Sequence, residues 1–257
     1  MQTPTDDSFV SHLIELRDRL LKSLAAVLIV FLALTPWMKE VYELLAQPIL
    51  ALSDQGMIAT NVISPFFTAL KATAAAAVVI ALPVVIYQIW AFIAPGLYRR
   101  EKQIVFPLVV SSYLLFLVGM AFAYFLVIPN VFRFMGLFSY QNVQHLPDIA
   151  SYLSFAFTMF FAFGLAFEVP VVVIMLVYAG VVSAEKLTEA RPYIIVGAFV
   201  IAAIVTPPDV LSQIMLAVPM CILYELGLFF AKRIRHPSQP EEDEATLPVV
   251  KESSDSE

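Results

Sequence analysis

The chain has 257 residues, of which 60% are hydrophobic and 14% charged. That proportion excludes a soluble domain, because a water-facing fold of this size has no interior large enough to hide so much apolar surface. The net charge of −6 belongs to the end of the chain. Residues 237–257 hold seven acids and one lysine, and the remainder balances at fourteen acids and fourteen bases.

Residues 1–22 come first. Phe9, Leu13, Leu16 and Leu20 recur at spacings of three and four, which predicts an amphipathic helix. Glu15 and Arg19 stand four apart in the favourable order, as do Asp18 and Lys22. Periodicity alone reads them as surface ion pairs on an interfacial helix. Residues 23–38 carry no charge and form the first predicted span. A charged side chain at bilayer depth costs several kcal/mol, so runs this clean are read as transmembrane helices. The first run lacks a small-residue cleavage site behind it and is expected to remain as a span.

Trp37 and Tyr42 suit a membrane interface. Val41–Ala46 is expected to form a short helix ending before Pro48, and Asp54-Gln55-Gly56 a turn. Ser64-Pro65 can start the next helix. The second span is expected at about 72–98, followed by Tyr98-Arg99-Arg100-Glu101-Lys102, a basic stop with one counter-ion. The third follows at about 104–131. The fourth, about 152–182, contains Glu168, an acid deep in an apolar stretch. Such a carboxylate must face protein or water, and is either a functional group or a structural hydrogen bond to a neighbouring helix.

The last two spans, about 192–206 and 210–231, are short. Their charge-free runs extend only about 22–26 Å against a hydrocarbon core of about 30 Å. Either the bilayer thins locally, or Glu225 sits near a wet boundary. Thr206-Pro207-Pro208-Asp209 makes a turn between them. Pro83, Pro107, Pro170 and Pro219 interrupt the apolar runs. Each removes a backbone donor and bends its helix, and the set favours a cupped arrangement over a straight bundle. The expected fold is therefore all-α: six kinked transmembrane helices over 23–235, between the N-terminal segment and a disordered acidic tail at 236–257.

Lys and Arg flank the spans unevenly. Eleven lie on the side of both termini (Arg17, Arg19, Lys22, Arg99, Arg100, Lys102, Lys186, Arg191, Lys232, Arg233, Arg235) and three opposite (Lys39, Lys71, Arg133). Both termini are therefore expected in the cytoplasm. One cysteine excludes an internal disulfide. The histidines lack metal-site spacing, and no phosphate-loop or dinucleotide pattern occurs. No enzyme, cofactor, metal or nucleic-acid partner is expected.

His12-Leu13-Ile14-Glu15-Leu16-Arg17, followed by Arg19-Leu20, resembles the N-terminal signature of the TatC family. Ser64-Pro65-Phe66-Phe67, and Gln88-Ile89-Trp90-Ala91-Phe92-Ile93-Ala94-Pro95-Gly96-Leu97-Tyr98 with Glu101, resemble its second span and first cytoplasmic loop. Phe163-Gly164, Phe167-Glu168-Val169-Pro170, Arg191-Pro192-Tyr193 and Thr206-Pro207-Pro208-Asp209 resemble its later spans. The likeness covers about residues 8–235. It implies a receptor subunit of the twin-arginine translocase in the bacterial inner membrane. Such a subunit binds twin-arginine signal peptides on its cytoplasmic face. With TatA, TatB and further TatC copies, it moves folded proteins across the lipid bilayer on the proton motive force. The resemblance further implies that Glu15 and Glu101 receive the two arginines, that Arg17 and Phe92 belong to that site, and that Glu168 lies in a concave membrane pocket. It implies that Thr206 and Gln213 mark where partner helices dock, near the outer turn at Asp209. The alternative is a proton-coupled secondary transporter using Glu168, which should show inverted repeats with paired broken helices; the halves show none. A purely structural membrane scaffold is the third reading.

Overall fold

Inside lipid every backbone donor and acceptor must be satisfied within the protein, and for a continuous apolar run the local solution is a helix. The structure is a computed structural model that describes residues 4–51, 56–93, 102–137, 146–206 and 209–233. Among these residues it is helical with no strand, and one parallel bridge joins Ile58 and Asp148. Glu101, the acidic tail at 236–257 and both prolines of the 206–209 turn lie outside the described residues.

Helix α1 runs unbroken over Pro4–Leu34, so the N-terminal segment and the first span share one helix. A short 3₁₀ turn at Thr35–Trp37 leads into α2, Met38–Leu50. Then come α3 (Ser64–Ile93), α4 (Lys102–Phe122) and α5 (Ile128–Gly136). The second half holds α6 (Ile149–Phe167), α7 (Val169–Tyr178), the short α8 (Ala184–Glu189), α9 (Arg191–Val205) and α10 (Val210–Ala231). Among the described residues, five helical stretches are long and apolar enough to cross a membrane: Ser11–Leu50, Ser64–Phe92, Phe106–Gly136, Ile149–Tyr178 and Val210–Ala231. The sixth apolar helix, α9, has 15 residues and rises about 22 Å.

The prolines do different things. Pro83, Pro107 and Pro219 sit inside continuous helices. Pro170 opens α7, and the chain breaks at Glu168, between α6 and α7. Pro129 sits at the start of α5, after one π turn at Ala123–Val127. A proline there cannot donate and crowds the carbonyl four residues back. The helix widens, and the Ile128 N–H reaches back five residues to the Ala123 carbonyl. The Asn130 side chain donates to the Leu126 carbonyl at 2.7 Å in the same turn.

The expected stop before Pro48 does not occur, because α2 continues to Leu50. Pro48 leaves the Leu44 carbonyl without its helical donor. The Tyr124 hydroxyl supplies one at 2.8 Å, and the Tyr152 hydroxyl donates to the next carbonyl, Leu45, at 2.9 Å. The Tyr124 phenol thus completes the backbone that proline interrupts, and the Tyr152 phenol ties the adjoining turn of α2 to α6. Nearby, Asp148 caps α6 and ties it to the preceding loop. It accepts from the Ser151 N–H and hydroxyl (3.0 Å each) and from the Thr60 N–H (3.2 Å) and hydroxyl (2.9 Å). These bonds hold its carboxyl at about 2, the Ser151 backbone donor being the largest influence.

Two glycines set how closely α4 and α6 cross. A Cβ at Gly164 would stand 2.5 Å from the Phe116 ring, and one at Gly119 would stand 2.5 Å from the Phe163 carbonyl oxygen. Gly227 does the same for α10 against α7, where a Cβ would meet the Pro170 Cα at 2.9 Å. Close backbone approach at small residues is how helices associate in lipid, where no hydrophobic drive remains between them. The main core gathers α2, α5 and α6 around Ala46, Val131, Tyr152, Met159 and Phe163. At the end of α7, Gly180 takes φ 68°. The Gly180 and Val181 N–H groups bond back to Val177 and Leu176, closing the helix with a left-handed cap.

Candidate functional site

Helices α1 and α3 run antiparallel and pack side by side. The less exposed positions of α1 include Glu15, Arg19, Ser23, Ala26, Val30 and Leu34, a stripe repeating every three or four residues. This stripe faces inward, and the apolar one seen in the sequence faces out: Leu13, Leu16 and Leu20 are 49%, 43% and 67% exposed. In a membrane-bound chain those leucines meet lipid.

The N-terminal half of α1 and the last two turns of α3 form a polar cluster. Arg19 donates to Glu15 Oε1 through Nε at 3.0 Å and Nη2 at 2.6 Å. Its third nitrogen, Nη1, points across to Gln88 Oε1 at 3.4 Å. One step further, His12 stacks on Phe92 with ring centroids 4.5 Å apart and planes 21° apart. The pairings His12 with Phe92 and Arg19 with Gln88 follow the antiparallel register. The cluster therefore joins two predicted site residues, Glu15 and Phe92, and adds His12 and Gln88. Sequence reading had a signal for both additions. His12 shares a helical face with Glu15 and Arg19, and Gln88 lies four residues before Phe92. Arg17 is exposed on another face of α1. Glu101 lies outside the described residues.

The other predicted residues lie elsewhere. Glu168 is half-buried at the α6–α7 break, and Ser112 of α4 interacts with it electrostatically. Neither Glu168 Oε1 nor Ser112 Oγ completes a hydrogen bond among the described residues. A cavity of about 160 Å³ between α3, α4 and α6 is lined by apolar groups including Ala76, Val79, Met120 and Phe160, and Glu168 is not in its wall. Thr206 is buried and donates to the Ala202 carbonyl at 2.8 Å. Gln213 donates to the Phe199 carbonyl at 3.2 Å, joining α10 to α9. Asp209 caps α10 by accepting from the Ser212 N–H at 2.7 Å.

Arg191 pairs with Glu225 at 2.7 Å, and both side chains are about half exposed. Tyr224, next to Glu225 in the chain, donates to the Leu187 carbonyl at 2.7 Å.

Comparison with known proteins gives one answer. A family model described as Sec-independent protein translocase protein (TatC) matches residues 11–219. A Sec-independent protein translocase protein TatC of Azotobacter chroococcum is 50% identical over 237 residues, covering 91% of this chain and 93% of the relative. The protein of the same name from Escherichia coli strain K12 is 48% identical over 234 residues, covering 90% and 91%. A crystal structure of a twin arginine translocase receptor, TatC, superposes with a TM-score of 0.76 at 40% identity, covering 86% of this chain and 98% of that one.

Proposed function

Because this chain belongs to the TatC family of Sec-independent protein translocase proteins, we propose that it is the receptor subunit of a twin-arginine translocase. It sits in the bacterial inner membrane with both termini in the cytoplasm. There it binds twin-arginine signal peptides and, with TatA, TatB and other copies of itself, moves folded proteins across the bilayer on the proton motive force. The observation that carries this reading is the Glu15 carboxylate, which already grips a guanidinium, that of Arg19, with two nitrogens on one oxygen. A carboxylate recognises a planar guanidinium better than any other cation, because the donors come as a fork.

Glu15 receives one signal arginine and Glu101 the other. Phe92, held flat by His12, offers an aromatic face beside them on which a guanidinium can stack. Arg17, exposed on α1, contacts the acidic or backbone groups of the peptide. Partner helices dock on α9 and α10, near Thr206, Gln213 and the turn at Asp209. The exposed apolar face of α9, with Ile204 at 78% and Val196 at 63%, supports an intramembrane partner there. Glu168 contributes a polar group inside the membrane. Glu168→Gln should keep partial transport, and Glu168→Lys should lose it, since a fixed cation resists that depth.

The test is peptide binding to the purified protein in lipid nanodiscs. A twin-arginine peptide should bind, and its twin-lysine version should bind more weakly. Glu101→Gln should weaken the first by about 1.5–3 kcal/mol, the range for a charge-assisted hydrogen bond. Equal binding of both peptides would refute the reading.

A further inference from the structure

Glu15 is not vacant in this structure. Its Oε1 holds the Arg19 side chain through two nitrogens, at 2.6 and 3.0 Å, and the third guanidinium nitrogen already leans toward Gln88 at 3.4 Å. The pair is partly sheltered, with Arg19 at 21% and Glu15 at 38% side-chain exposure. An incoming arginine that seeks the same carboxylate meets a group of its own kind in place.

We propose that Arg19 is a built-in competitor for Glu15: its guanidinium must leave the carboxylate before a ligand guanidinium can take the position, and Gln88 receives it. This rests on the reading of Glu15 as part of the signal-peptide site. The exchange is balanced in kind. The carboxylate gives up two N–H donors and gains donors of the same type. Arg19 swings about Nη1, keeps its contact with the Gln88 oxygen, and turns its other nitrogens to water.

The consequence is a threshold. When a site is filled by its own side chain for most of the time, the apparent affinity of every ligand falls by the fraction of time the site is free. The fall is the same factor for a strong and a weak ligand, so intrinsic preference is unchanged. Occupancy is affected unequally. A weak cation, such as a single arginine or a lysine pair in an unrelated cytoplasmic segment, is kept below saturation. A true twin-arginine peptide, held by further contacts, still saturates.

The experiment measures binding of a synthetic twin-arginine peptide and its twin-lysine version to the whole protein in nanodiscs. Arg19→Gln should tighten both by the same factor, about two- to fivefold, the strength of an exposed to half-exposed ion pair. Arg19→Lys keeps the charge but loses the two-nitrogen grip, and should tighten both by less. Lys22→Gln removes a nearby positive charge from the exposed surface of α1 and should change binding by less than about twofold. In a Glu15→Gln background the gain from Arg19→Gln should vanish, because the competitor then has nothing to block. Thermal midpoints confirm that each variant is folded.

The proposal is overturned if folded Arg19→Gln and Arg19→Lys bind both peptides no better than the parent. It is also overturned if the gain persists in the Glu15→Gln background, or if Lys22→Gln reproduces it. The underlying reading fails separately, and shows it differently: Glu15→Gln alone would then leave twin-arginine binding unchanged.

Discussion

The two ends of the helix assembly are built on opposite plans. At the end that holds α2, residues are buried and backbone groups are met by long-range side chains. Ala46 and Val131 are fully buried and Tyr152 is 2% exposed. Tyr124, Tyr152 and Asp148 each bond across elements far apart in sequence. At the end that holds the N-terminal half of α1, no residue from Ser11 to Leu20 is buried; an ion pair lies within α1 between Glu15 and Arg19, and contacts to α3 include a long polar contact from Arg19 to Gln88 and a ring stack of His12 on Phe92. The first plan specifies the fold. The second leaves charged and aromatic groups within reach of a ligand. On the proposed reading of Glu15, stability and recognition belong to opposite ends, and variants at each end should separate the two.

The largest effect belongs to the α2 end. Tyr152→Ala removes a buried aromatic and the donor to the Leu45 carbonyl, and should cost about 3–5 kcal/mol. Tyr152→Phe keeps the ring and loses only the hydroxyl, at about 0.5–1.5 kcal/mol. Thermal unfolding in detergent measures both. A Tyr152→Phe protein as stable as the parent would mean that the bond from this phenol to the Leu45 carbonyl adds nothing to stability. Between these two falls Gly164→Val, which forces side-chain atoms into the Phe116 ring and should destabilise by about 1–3 kcal/mol.

Next comes acid. The Asp148 carboxyl is held at about 2, well below its ordinary value, by the Ser151 N–H first and the Thr60 hydroxyl second. A depressed folded value means that its contribution is complete above the unfolded value of about 4 and is lost as pH falls toward 2. Unfolding midpoints should drop across that window, and Asp148→Asn should flatten the drop. An unchanged acid limb in the variant would show that other carboxylates set it. The smallest effect should be Arg191→Gln. It breaks a half-exposed pair with Glu225 and should move stability by less than about 1 kcal/mol.

Much of this was legible in the sequence because charge is so costly in lipid. The charge-free runs pointed to an all-helical fold of several apolar helices, and the motif around Glu15 pointed to the face where recognition is proposed. What escaped depended on distant partners. Nothing near Pro48 announces that Tyr124, 80 positions beyond Leu44, will satisfy the freed carbonyl and let α2 continue. The π turn at Ala123–Val127 follows from Pro129, a residue overshadowed by four prolines deeper in apolar runs. Glu15 and Arg19 read as a surface pair because their spacing is local, whereas the Gln88 contact lies 69 residues away and exists only once α1 lies against α3. The inward stripe of α1 was hidden for the same reason. In water its leucines would turn in, and in a membrane they turn out.

The most direct test of the division between the two ends is one pair of measurements on three proteins: twin-arginine peptide affinity and thermal midpoint for the parent, Tyr152→Phe, and a Glu15→Gln, Glu101→Gln double variant. The account predicts that the double variant loses at least about tenfold in affinity, the lower end of a charge-assisted contact, while its midpoint stays with the parent. Tyr152→Phe should lower the midpoint and leave affinity unchanged. Parental binding by the double variant, or a binding loss matched by an equal loss of stability, would contradict it.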